Sequence, residues 1–364
     1  MISVLIIGAG GIANSHIAAY GALGERVRIT AVADTDKTKA EALIQKHTLS
    51  AKAYGDYREA LSEQAFQIAS ICTPAGNHCA IVLDCFEAGL HVLLEKPMAP
   101  SLAECDAMIS AAEKKKRLLS VVAQNRYTTG VWNLKRLLEE GHCGKLLYVQ
   151  ACSVWWRGQG YYDTPWRGSW EQAGGGCTLN LAIHYLDLLL WMAGKPKELT
   201  AFMANVYHPA AQVEDLSSAY IRFAGGAVGE LTCSQIHHGD SRERRLLFET
   251  ERAELGIPFS VYCSKDKGGG FPEEDAETAA EIEARYKSYP PLSWEGHIGQ
   301  IADFVQAVET SSPLLLTGRT GRDAVEVVTG IYKSAVTKQP VSFPIAETDL
   351  FYSRDGILQR MPRY

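Results

Sequence analysis

The chain has 364 residues, enough for two domains of roughly 100–200 residues that each bury a core of their own. Hydrophobic residues make up 46% and charged residues 21%, and a net charge of −6 argues against a nucleic-acid-binding protein, which needs a basic surface. Nine scattered cysteines without a Cys-x-x-Cys pair predict reduced thiols in the cytoplasm and no zinc cage. No targeting segment and no run long enough to span a bilayer is expected.

The first predicted elements form a unit typical of dinucleotide binding. A short apolar run, Val4–Ile7, predicts a strand buried on both faces, and a helix follows to about Leu23. The turn between them reads Gly-x-Gly-x-x-Ala, in which the first glycine makes a tight turn and the second lets the backbone approach a pyrophosphate. The phosphates would lie against the N–H groups at the helix start. The predicted cofactor contacts in this turn are Gly8, Gly10, Gly11, Ile12 and Ala13.

Asp34 follows the second predicted strand, Ile29–Ala33, and predicts which dinucleotide is bound. A carboxylate at this place can accept hydrogen bonds from the adenosine ribose hydroxyls, and it would repel a 2′-phosphate. Lys37 and Lys39 lie close by in the sequence and would weaken that repulsion. We therefore expect NAD as the cofactor and regard NADP as less favoured.

Helices and strands continue to alternate up to residue 123. We predict helices at 39–47, 77–88 and 102–116 and strands at 67–72, 91–94 and 118–123. This alternation predicts an α/β Rossmann domain with a mostly parallel, doubly wound sheet over residues 1–123. Ligands bind such sheets beyond the carboxyl ends of the strands, where polar residues cluster in this chain. The predicted cofactor contacts there are Thr73, Pro74, Asn77, His78, Glu95, Lys96 and Gln124, and the predicted substrate contacts are Arg126 and Tyr127.

Residues 124–364 are predicted to form a second, α+β domain for substrate binding and oligomerisation. Long alternating strands are expected at 145–156, 198–208, 217–238 and 244–257, with a hairpin turn at Ala224–Gly226. They predict a large, open, largely antiparallel sheet, and its flat face favours a homo-oligomer, either a dimer or a tetramer. Amphipathic helices predicted at 297–309 and 321–338 can pack back on the Rossmann domain.

A helix predicted from Thr178 to about Ala193 follows Gly174-Gly175-Gly176 and carries three polar residues on one face. Asn180 and His184 are four residues apart, and Asp187 is three further on. A helix otherwise rich in leucine has little structural reason to align them, which indicates a functional site. The alternative is a core histidine whose hydrogen bond is satisfied by Asp187.

An aromatic segment lies between the first long strand and this helix. Trp155, Tyr162 and the aromatic residues between them suit the C–H face of a sugar, and Arg157 can meet a carboxylate or a phosphate. The same residues could instead belong to a core or an interface. His237 and His238 are adjacent on a strand, so they point to opposite faces, and without a partner cluster they predict no metal site.

Together these motifs resemble those of the Gfo/Idh/MocA family, named after glucose–fructose oxidoreductase, inositol dehydrogenase and MocA. The resemblance covers nearly the whole chain and implies a pyridine-nucleotide oxidoreductase acting on sugars, cyclitols or nucleotide sugars. It also implies that Lys96 and His184 transfer the proton and that Trp166 and Arg167 lie near the cofactor. The motifs that carry it are Gly8–Ala13, Cys72-Thr73-Pro74 with His78, Glu95-Lys96-Pro97, Trp166-Arg167, and Gly174-Gly175-Gly176 leading to Asn180, His184 and Asp187.

Asn180 departs from the family pattern, because many relatives have Asp at this place. An amide cannot exchange a proton at neutral pH, but it can orient a hydroxyl, and an Asn here is similar to branches that oxidise the 3-hydroxyl of nucleotide sugars or glycosides. Burial and a positive nicotinamide would favour neutral Lys96, and Asp187 could fix the tautomer of His184. The expected substrate contacts are Lys96, Arg126, Tyr127, Trp155, Arg157, Tyr162, Asn180 and His184.

Two other functions stay open at this point. One is an NADPH-dependent reductase of a keto-sugar or an imine, against which Asp34 argues. The other is a non-catalytic sensor of NAD or of a sugar, against which Lys96 and His184 argue. We expect a small sugar-like partner and neither a nucleic acid nor a membrane.

Overall fold

The computed structural model describes residues 1–164, 166–238 and 245–364. Its first sheet consists of β1 (Ile2–Ile7), β2 (Val27–Ala33), β3 (Lys52–Tyr54), β4 (Ile68–Ile71), β5 (His91–Leu94) and β6 (Leu119–Val121). All six strands are parallel, in the spatial order β3-β2-β1-β4-β5-β6. The order reverses between β1 and β4, which is where such sheets bind dinucleotides. The predicted Rossmann sheet is therefore confirmed.

Helices connect these strands and cover both faces of the sheet. They are α1 (Ala13–Ala22), α2 (Lys37–Lys46), α3 (Tyr57–Glu63), α4 (His78–Glu87) and α5 (Leu102–Lys115). The side chains of Asp36, Asp56 and Ser101 accept hydrogen bonds from backbone N–H groups at the starts of α2, α3 and α5, which stabilises those helix ends. β3 and α3 were not predicted, because elements of three and seven residues show too little periodicity.

The second half of the chain forms a large mixed sheet. Its strands and those of a small hairpin are β7 (Leu146–Val154), β8 (Pro196–Ala204), β9 (Leu216–Phe223), β10 (Val228–Ser234), β11 (Arg245–Thr250), β12 (Glu254–Ile257), β13 (Ser260–Tyr262), β14 (Ser264–Asp266), β15 (Pro272–Glu274) and β16 (Val341–Ser342). β14 and β15 form the hairpin, and the others lie in the order β13-β12-β11-β7-β10-β9-β8-β16. Only β7 and β10 pair in parallel within this sheet as described, so the prediction of a largely antiparallel sheet is confirmed.

The remaining helices lie against one face of this sheet and against the first sheet. They are α6 (Thr129–Glu139), α7 (Trp170–Ala173), a π-helix (Thr178–Ala182), α8 (Ile183–Ala193), α9 (Ala276–Ser288), α10 (Gly296–Thr310), α11 (Gly318–Thr337) and α12 (Arg354–Leu358). Leu189 on α8 and Ile331 on α11 share a core with Phe248 of the large sheet. Phe304 on α10 packs with Ile6 of the parallel sheet. Helix α10 therefore packs on the parallel sheet, while the division of the chain at residue 123 stays a prediction.

Three predicted elements differ in detail from the structure. The helix expected at 178–193 begins as a π-helix, whose wider turn leaves no signature in hydrophobic periodicity. The strand expected at 244–257 is interrupted after Thr250, and its first residue lies outside the described residues. The glycine-rich stretch 265–270 is part of a β-hairpin, in which Asp266 accepts hydrogen bonds from the N–H groups of Gly268 and Gly270.

One stretch, Trp170–Ala193, is apolar and long enough to cross a membrane when judged by length and composition alone. In the structure, 61% of its most apolar window is buried inside the protein. A core helix passes the same test, so this stretch is weak evidence for a membrane span. All nine cysteines are free thiols in the structure.

Candidate active site

The glycine turn between β1 and α1 leaves room for a ligand close to the backbone. Gly8 has a φ of +98°, and a Cβ there would lie 2.7 Å from the carbonyl oxygen of Cys72, so the tight turn requires glycine. A Cβ on Gly10 or Gly11 would meet no atom within 4 Å. Among the described residues, the N–H groups of Gly10, Gly11 and Ile12 have no hydrogen-bond acceptor. They are the free donors expected at the N-terminus of a helix.

Asp34 is held in one orientation beside this turn. Its Oδ2 accepts a hydrogen bond from the N–H of Ala9 at 2.7 Å, and its Oδ1 accepts one from the N–H of Asp36 at 2.9 Å. Ala13, the last residue of the motif, is fully buried and lets α1 lie close to the sheet. The carboxylate therefore stands at the end of β2 with its charge next to the glycine turn.

Other predicted cofactor contacts lie at the carboxyl ends of the neighbouring strands. The buried Oγ1 of Thr73 and Oε1 of Gln124 have no hydrogen-bond partner within the described part of the chain. Pro74 is partly buried, and Asn77 is exposed at the start of α4, where its side chain makes no capping bond. Orphaned polar atoms, free N–H donors and open space over the glycine turn together fit a bound dinucleotide.

His78, another predicted cofactor contact, lies between two loops of the Rossmann sheet. The side chain is fully buried, and its ring nitrogens lie 2.8 Å from the carbonyl oxygen of Thr73 and 3.1 Å from that of Pro97. Burial also lowers the pKa of His78. The imidazole thus connects the loops that follow β4 and β5, and its direct contact with the cofactor stays a prediction that its burial disfavours.

Lys96 follows β5 and lies against the π-helix. Its Nζ donates a hydrogen bond to the backbone carbonyl of Asn180 at 3.0 Å. The side-chain amide of Asn180 is turned the other way and donates to the carbonyl oxygens of Gly175 and Gly176, at 2.7 and 3.2 Å. The structure therefore brings Lys96 and Asn180 together as the motifs implied, but through the main chain of Asn180. A π-turn at this point agrees with the frequent occurrence of such turns at functional sites.

His184 lies at the start of α8, and with Lys96 it lines a cavity of about 20 Å³. Burial, assisted by the charge of Lys96, lowers the pKa of His184 to about 3, so the imidazole is neutral at pH 7. Burial also lowers the pKa of Lys96, against the opposing effect of Glu95. At any given pH, Lys96 is therefore neutral in a larger fraction of molecules than a solvated lysine.

Asp187 does not fix the tautomer of His184, and that expectation is wrong. Both carboxylate oxygens of Asp187 accept hydrogen bonds from Arg126, at 2.7 and 2.8 Å, and both side chains are buried. The guanidinium also lies 5.1 Å from the ring of Trp191. The Arg126–Asp187 pair therefore fixes α8 to the end of β6, and a direct substrate contact by Arg126 stays a prediction that its buried pairing disfavours.

Two histidines that sequence reasoning missed surround Glu95. His16 on α1 is fully buried, and its Nε2 lies 2.9 Å from Glu95 Oε1 while its Nδ1 lies 2.7 Å from Ser70 Oγ. His297 on α10 lies with its Nε2 3.9 Å from the same carboxylate oxygen. The inward-facing position of His16, three residues after Ala13, could have indicated it, whereas nothing near His297 in sequence connects it to Glu95.

The His16–Glu95 contact is a buried ion pair. Burial opposes the charge of His16, but Cys72 and Glu95 outweigh it and raise the pKa of His16 to about 10. Burial likewise opposes ionisation of Glu95, but His16, Lys96 and His297 lower its pKa to about 2. The donor atoms of His16, Glu95 and His297 lie within 4.8 Å of one another, as metal ligands can, yet both His16 nitrogens already have partners. Glu95 is thus held by His16 on one carboxylate oxygen and by the N–H of Lys96, at 3.1 Å, on the other, and its direct contact with the cofactor stays a prediction.

The predicted substrate contacts after residue 126 differ in their burial and in their hydrogen-bond partners. The guanidinium of Arg157 lies 5.0 Å from the ring of Trp155 and 5.5 Å from that of Tyr161, an arrangement that orients a positive charge. Tyr162 is buried, and its hydroxyl donates to Gln235. Tyr127 is also buried, and its hydroxyl donates to Asp303 at 2.7 Å. The hydroxyls of these two tyrosines each donate to another side chain, so their contact with a substrate stays a prediction that their burial disfavours.

Trp166 and Arg167 form part of the same segment. Arg167 lies 4.4 Å from the ring of Tyr161 and donates to the Tyr161 carbonyl at 3.3 Å. Among the described residues, no hydrogen bond or ring contact joins Trp166 or Arg167 to Lys96, His184 or the glycine turn. The chain that follows Arg167 does contact the first domain. Gln172 lies so close to Gly76, just before α4, that a Cβ on Gly76 would be 2.7 Å from the Gln172 carbonyl oxygen. Their place beside the cofactor stays a prediction.

Comparison with known proteins agrees with these features. A family model described as an oxidoreductase family with an NAD-binding Rossmann fold, GFO_IDH_MocA, matches residues 2–123, and a GFO/IDH/MocA C-terminal domain matches residues 131–266. A trans-1,2-dihydrobenzene-1,2-diol dehydrogenase of Mus musculus is 32% identical over 290 residues, which cover 79% of each chain. A levoglucosan dehydrogenase of Pseudarthrobacter phenanthrenivorans is 26% identical over 306 residues, 76% of this chain and 78% of that protein.

Among solved structures, the fold matches the WlbA dehydrogenase of Chromobacterium violaceum in complex with NADH and UDP-GlcNAcA. The TM-score is 0.82 at 27% identity, over 95% of this chain and 96% of that one. Both family models, a relative matched over 79% of its length and a structural neighbour thus agree with the motifs and with the two sheets. The chain therefore belongs to the GFO/IDH/MocA family of oxidoreductases, with an NAD-binding Rossmann fold.

Proposed function

We propose that this protein is an NAD(H)-dependent dehydrogenase that moves a hydride between nicotinamide and a secondary hydroxyl of a sugar, a glycoside or a nucleotide sugar. The observation that carries the proposal is that Lys96 and His184, each with a lowered pKa, line one cavity at the carboxyl edge of a Rossmann sheet. Ligands of such sheets bind at this edge.

Oxidation of a secondary alcohol needs a base for the hydroxyl proton, and Lys96 is the side chain suited to it. Its Nζ is held by the Asn180 carbonyl at 3.0 Å, and burial favours its neutral form. His184 is neutral at pH 7, so it suits a hydrogen bond to the hydroxyl better than storage of the proton. When bound, NAD would supply the hydride acceptor. The free N–H donors of the glycine turn would hold its phosphates.

Asp34 supports NAD over NADP. The carboxylate is fixed by the N–H groups of Ala9 and Asp36, so it cannot turn aside to admit a 2′-phosphate without losing both hydrogen bonds. The nearby Lys39 is drawn toward Asp36, 3.7 Å away at the surface. A cofactor that offers two ribose hydroxyls therefore suits this site better than one with a 2′-phosphate.

The proposed class of substrate is supported by the names of related proteins and by side chains of this chain. The relatives are named as dehydrogenases of dihydrobenzenediol and of levoglucosan, and the structural neighbour holds UDP-GlcNAcA. The partly buried rings of Trp155 and Tyr161, with Arg157 between them, suit the C–H face of a sugar and a nearby negative group. Oxidation at the 3-hydroxyl is the finer proposal, and it is supported by Asn180 at the place where many relatives have Asp.

The decisive measurement is NADH formation by the purified protein against free sugars, glycosides, inositols and nucleotide sugars, with NADP in parallel. We expect turnover with NAD and with at least one member of this panel. Tight NAD binding without turnover on any member would overturn the proposal and favour a sensor. Faster turnover with NADP would overturn the cofactor assignment alone.

Replacing Lys96 tests the proposed base. We expect Lys96→Met to lower kcat by about 10²–10⁴-fold, the usual contribution of a general base, while NAD still binds. In the unsubstituted protein kcat should rise with pH as Lys96 loses its proton, with an apparent pKa below 10.5. Lys135→Met is the matched control, because Lys135 is partly buried and its Nζ also donates to a backbone carbonyl, that of Trp191. Equal kcat in the two variants would exclude Lys96 as the base.

A further inference from the structure

Glu214 is a buried carboxylate for which the proposed reaction has no direct use. It lies between β8 and β9 and has no exposed surface. Its Oε2 accepts a hydrogen bond from the N–H of Gly176, and its Oε1 accepts hydrogen bonds from the N–H of Thr178 and the hydroxyl of Tyr332, all at 3.0 Å. Three donors on one carboxylate satisfy a charge that would otherwise be costly to bury.

The contact between Glu214 and the three-glycine turn is very close. The Glu214 carbonyl also accepts a hydrogen bond from the N–H of Cys177, at 3.1 Å. A Cβ on Gly176 would overlap this carbonyl, so the backbones could not approach with any other residue there. Gly174 has a φ of +79°, which completes the turn. The three-glycine turn therefore packs against both the main chain and the side chain of Glu214.

The same turn begins the π-helix that holds Lys96. Thr178, whose N–H donates to Glu214, is the first residue of the π-helix, and Asn180 accepts the Nζ of Lys96. The amide of Asn180 donates back to Gly175 and Gly176. Only the turn and the first part of the π-helix thus separate the Glu214 carboxylate from the Lys96 amine.

We propose that Glu214 is a positioning residue for Lys96: it holds the three-glycine turn so that the Asn180 carbonyl faces Nζ. This inference rests on the proposed role of Lys96 as the base. Tyr332 on α11 completes the arrangement, because its hydroxyl binds the same carboxylate oxygen as Thr178. A buried carboxylate rarely stabilises a fold more than an apolar residue of its size would, which agrees with a role in geometry.

Glu214→Gln keeps the size of the side chain but sets an NH2 group against a backbone N–H donor. We expect kcat to fall by about 10–100-fold, because small displacements of catalytic groups cost that much, while the Kd for NAD changes less than about twofold. Tyr332→Phe, which removes one donor and leaves the core filled, should give a smaller loss in the same direction. Glu326→Gln is the matched control. Glu326 lies on α11, is also buried, and accepts a hydrogen bond from the backbone N–H of Ile345.

A second readout does not depend on turnover. Acetylation of Lys96 by N-hydroxysuccinimidyl acetate, followed by mass spectrometry across a pH series, reports the pKa of its amine. We expect this pKa to rise toward 10.5 in Glu214→Gln, because a loosened turn admits water to Nζ while Glu95, His184 and His297, the other titratable neighbours, are unchanged. If the unsubstituted protein has no turnover, this readout still tests the inference. A Glu214→Gln protein that differs from Glu326→Gln in neither kcat nor Lys96 acetylation would overturn it.

Discussion

At the scale of single residues, the environment of Lys96 is set by exclusion of water more than by neighbouring charges. Glu95, which would favour the protonated amine, is itself paired with His16 at 2.9 Å and has a pKa near 2. His184 is neutral at pH 7 and adds no charge. Burial is therefore what lowers the pKa of Lys96, and any change that admits water should raise it.

The Arg126–Asp187 pair permits a test of stability at the same scale. We expect Asp187→Asn to lower the free energy of unfolding by about 3–5 kcal/mol, because it leaves a buried guanidinium without its charge partner. Urea unfolding would measure this. The control is Glu113→Gln at the exposed Arg319–Glu113 pair, for which a change within about 1 kcal/mol is expected. A similar loss of unfolding free energy in both variants would show that the buried Arg126–Asp187 pair does not stabilise the fold more than an exposed pair does.

At the scale of elements, prediction succeeded where burial leaves a regular pattern. β5 was predicted at its observed bounds, 91–94, because a strand buried on both faces reads as an unbroken apolar run. The start of the helix at Thr178 was placed correctly, but its π-turn was not, since one extra residue per turn is invisible in apolar spacing. Bounds of long alternating strands erred by one to several residues at their ends.

The candidate site was predictable in part for the same reason. Lys96, Asn180 and His184 stand in local motifs, so the sequence indicated them. His297 and Glu214 follow Lys96 by 201 and 118 residues in the sequence. Only the packing of α10 brings His297 near the site, and only the packing of the large sheet brings Glu214 there. The partner of Asp187 was missed because Arg126 lies on another element, 61 residues away.

Helix α10 offers a test at this scale. Gln300, nearly fully buried, accepts a hydrogen bond from the N–H of Ala123 at 3.0 Å and donates to the Val121 carbonyl at 2.9 Å. Gln300→Ala leaves both groups unsatisfied, so we expect a loss of about 1–3 kcal/mol in stability and faster amide exchange across 296–310. Gln306→Ala, at an exposed position of α10, is the control. Unchanged exchange in Gln300→Ala would show that α10 is fixed by its apolar face alone.

At the scale of the whole molecule, one face of the large sheet carries exposed apolar side chains. Phe202, Tyr220 and Val228 on β8, β9 and β10 are 54, 65 and 45% exposed. Residues that alternate with them, such as Leu199, Ala219 and Leu231, are buried under α8 and α11. Large apolar side chains gathered on one exposed face are typical of an interface, which supports the proposed homo-oligomer.

Light scattering in solution tests the proposed oligomer. We expect a dimer or a tetramer, and we expect the double variant Phe202→Glu, Tyr220→Glu to shift the mass toward that of the monomer, 39.9 kDa, because charges would be buried without partners. The control is Leu350→Glu, which places a charge outside this face at a residue that is 61% exposed, and it should leave the mass unchanged. A monomer before any substitution would contradict the proposal.

The packing of α10 on the parallel sheet has a consequence for how the chain is made. On the ribosome, the six strands of that sheet emerge more than 170 residues before Gly296, where α10 begins. Until then Ile6, Val32 and Tyr20 lack the apolar partners Ile301, Phe304 and Val305 that share their core. The parallel sheet must therefore wait, with an apolar surface open to water, until α10 has also been synthesised, and exposed apolar surface of this kind makes a newly made chain prone to aggregation.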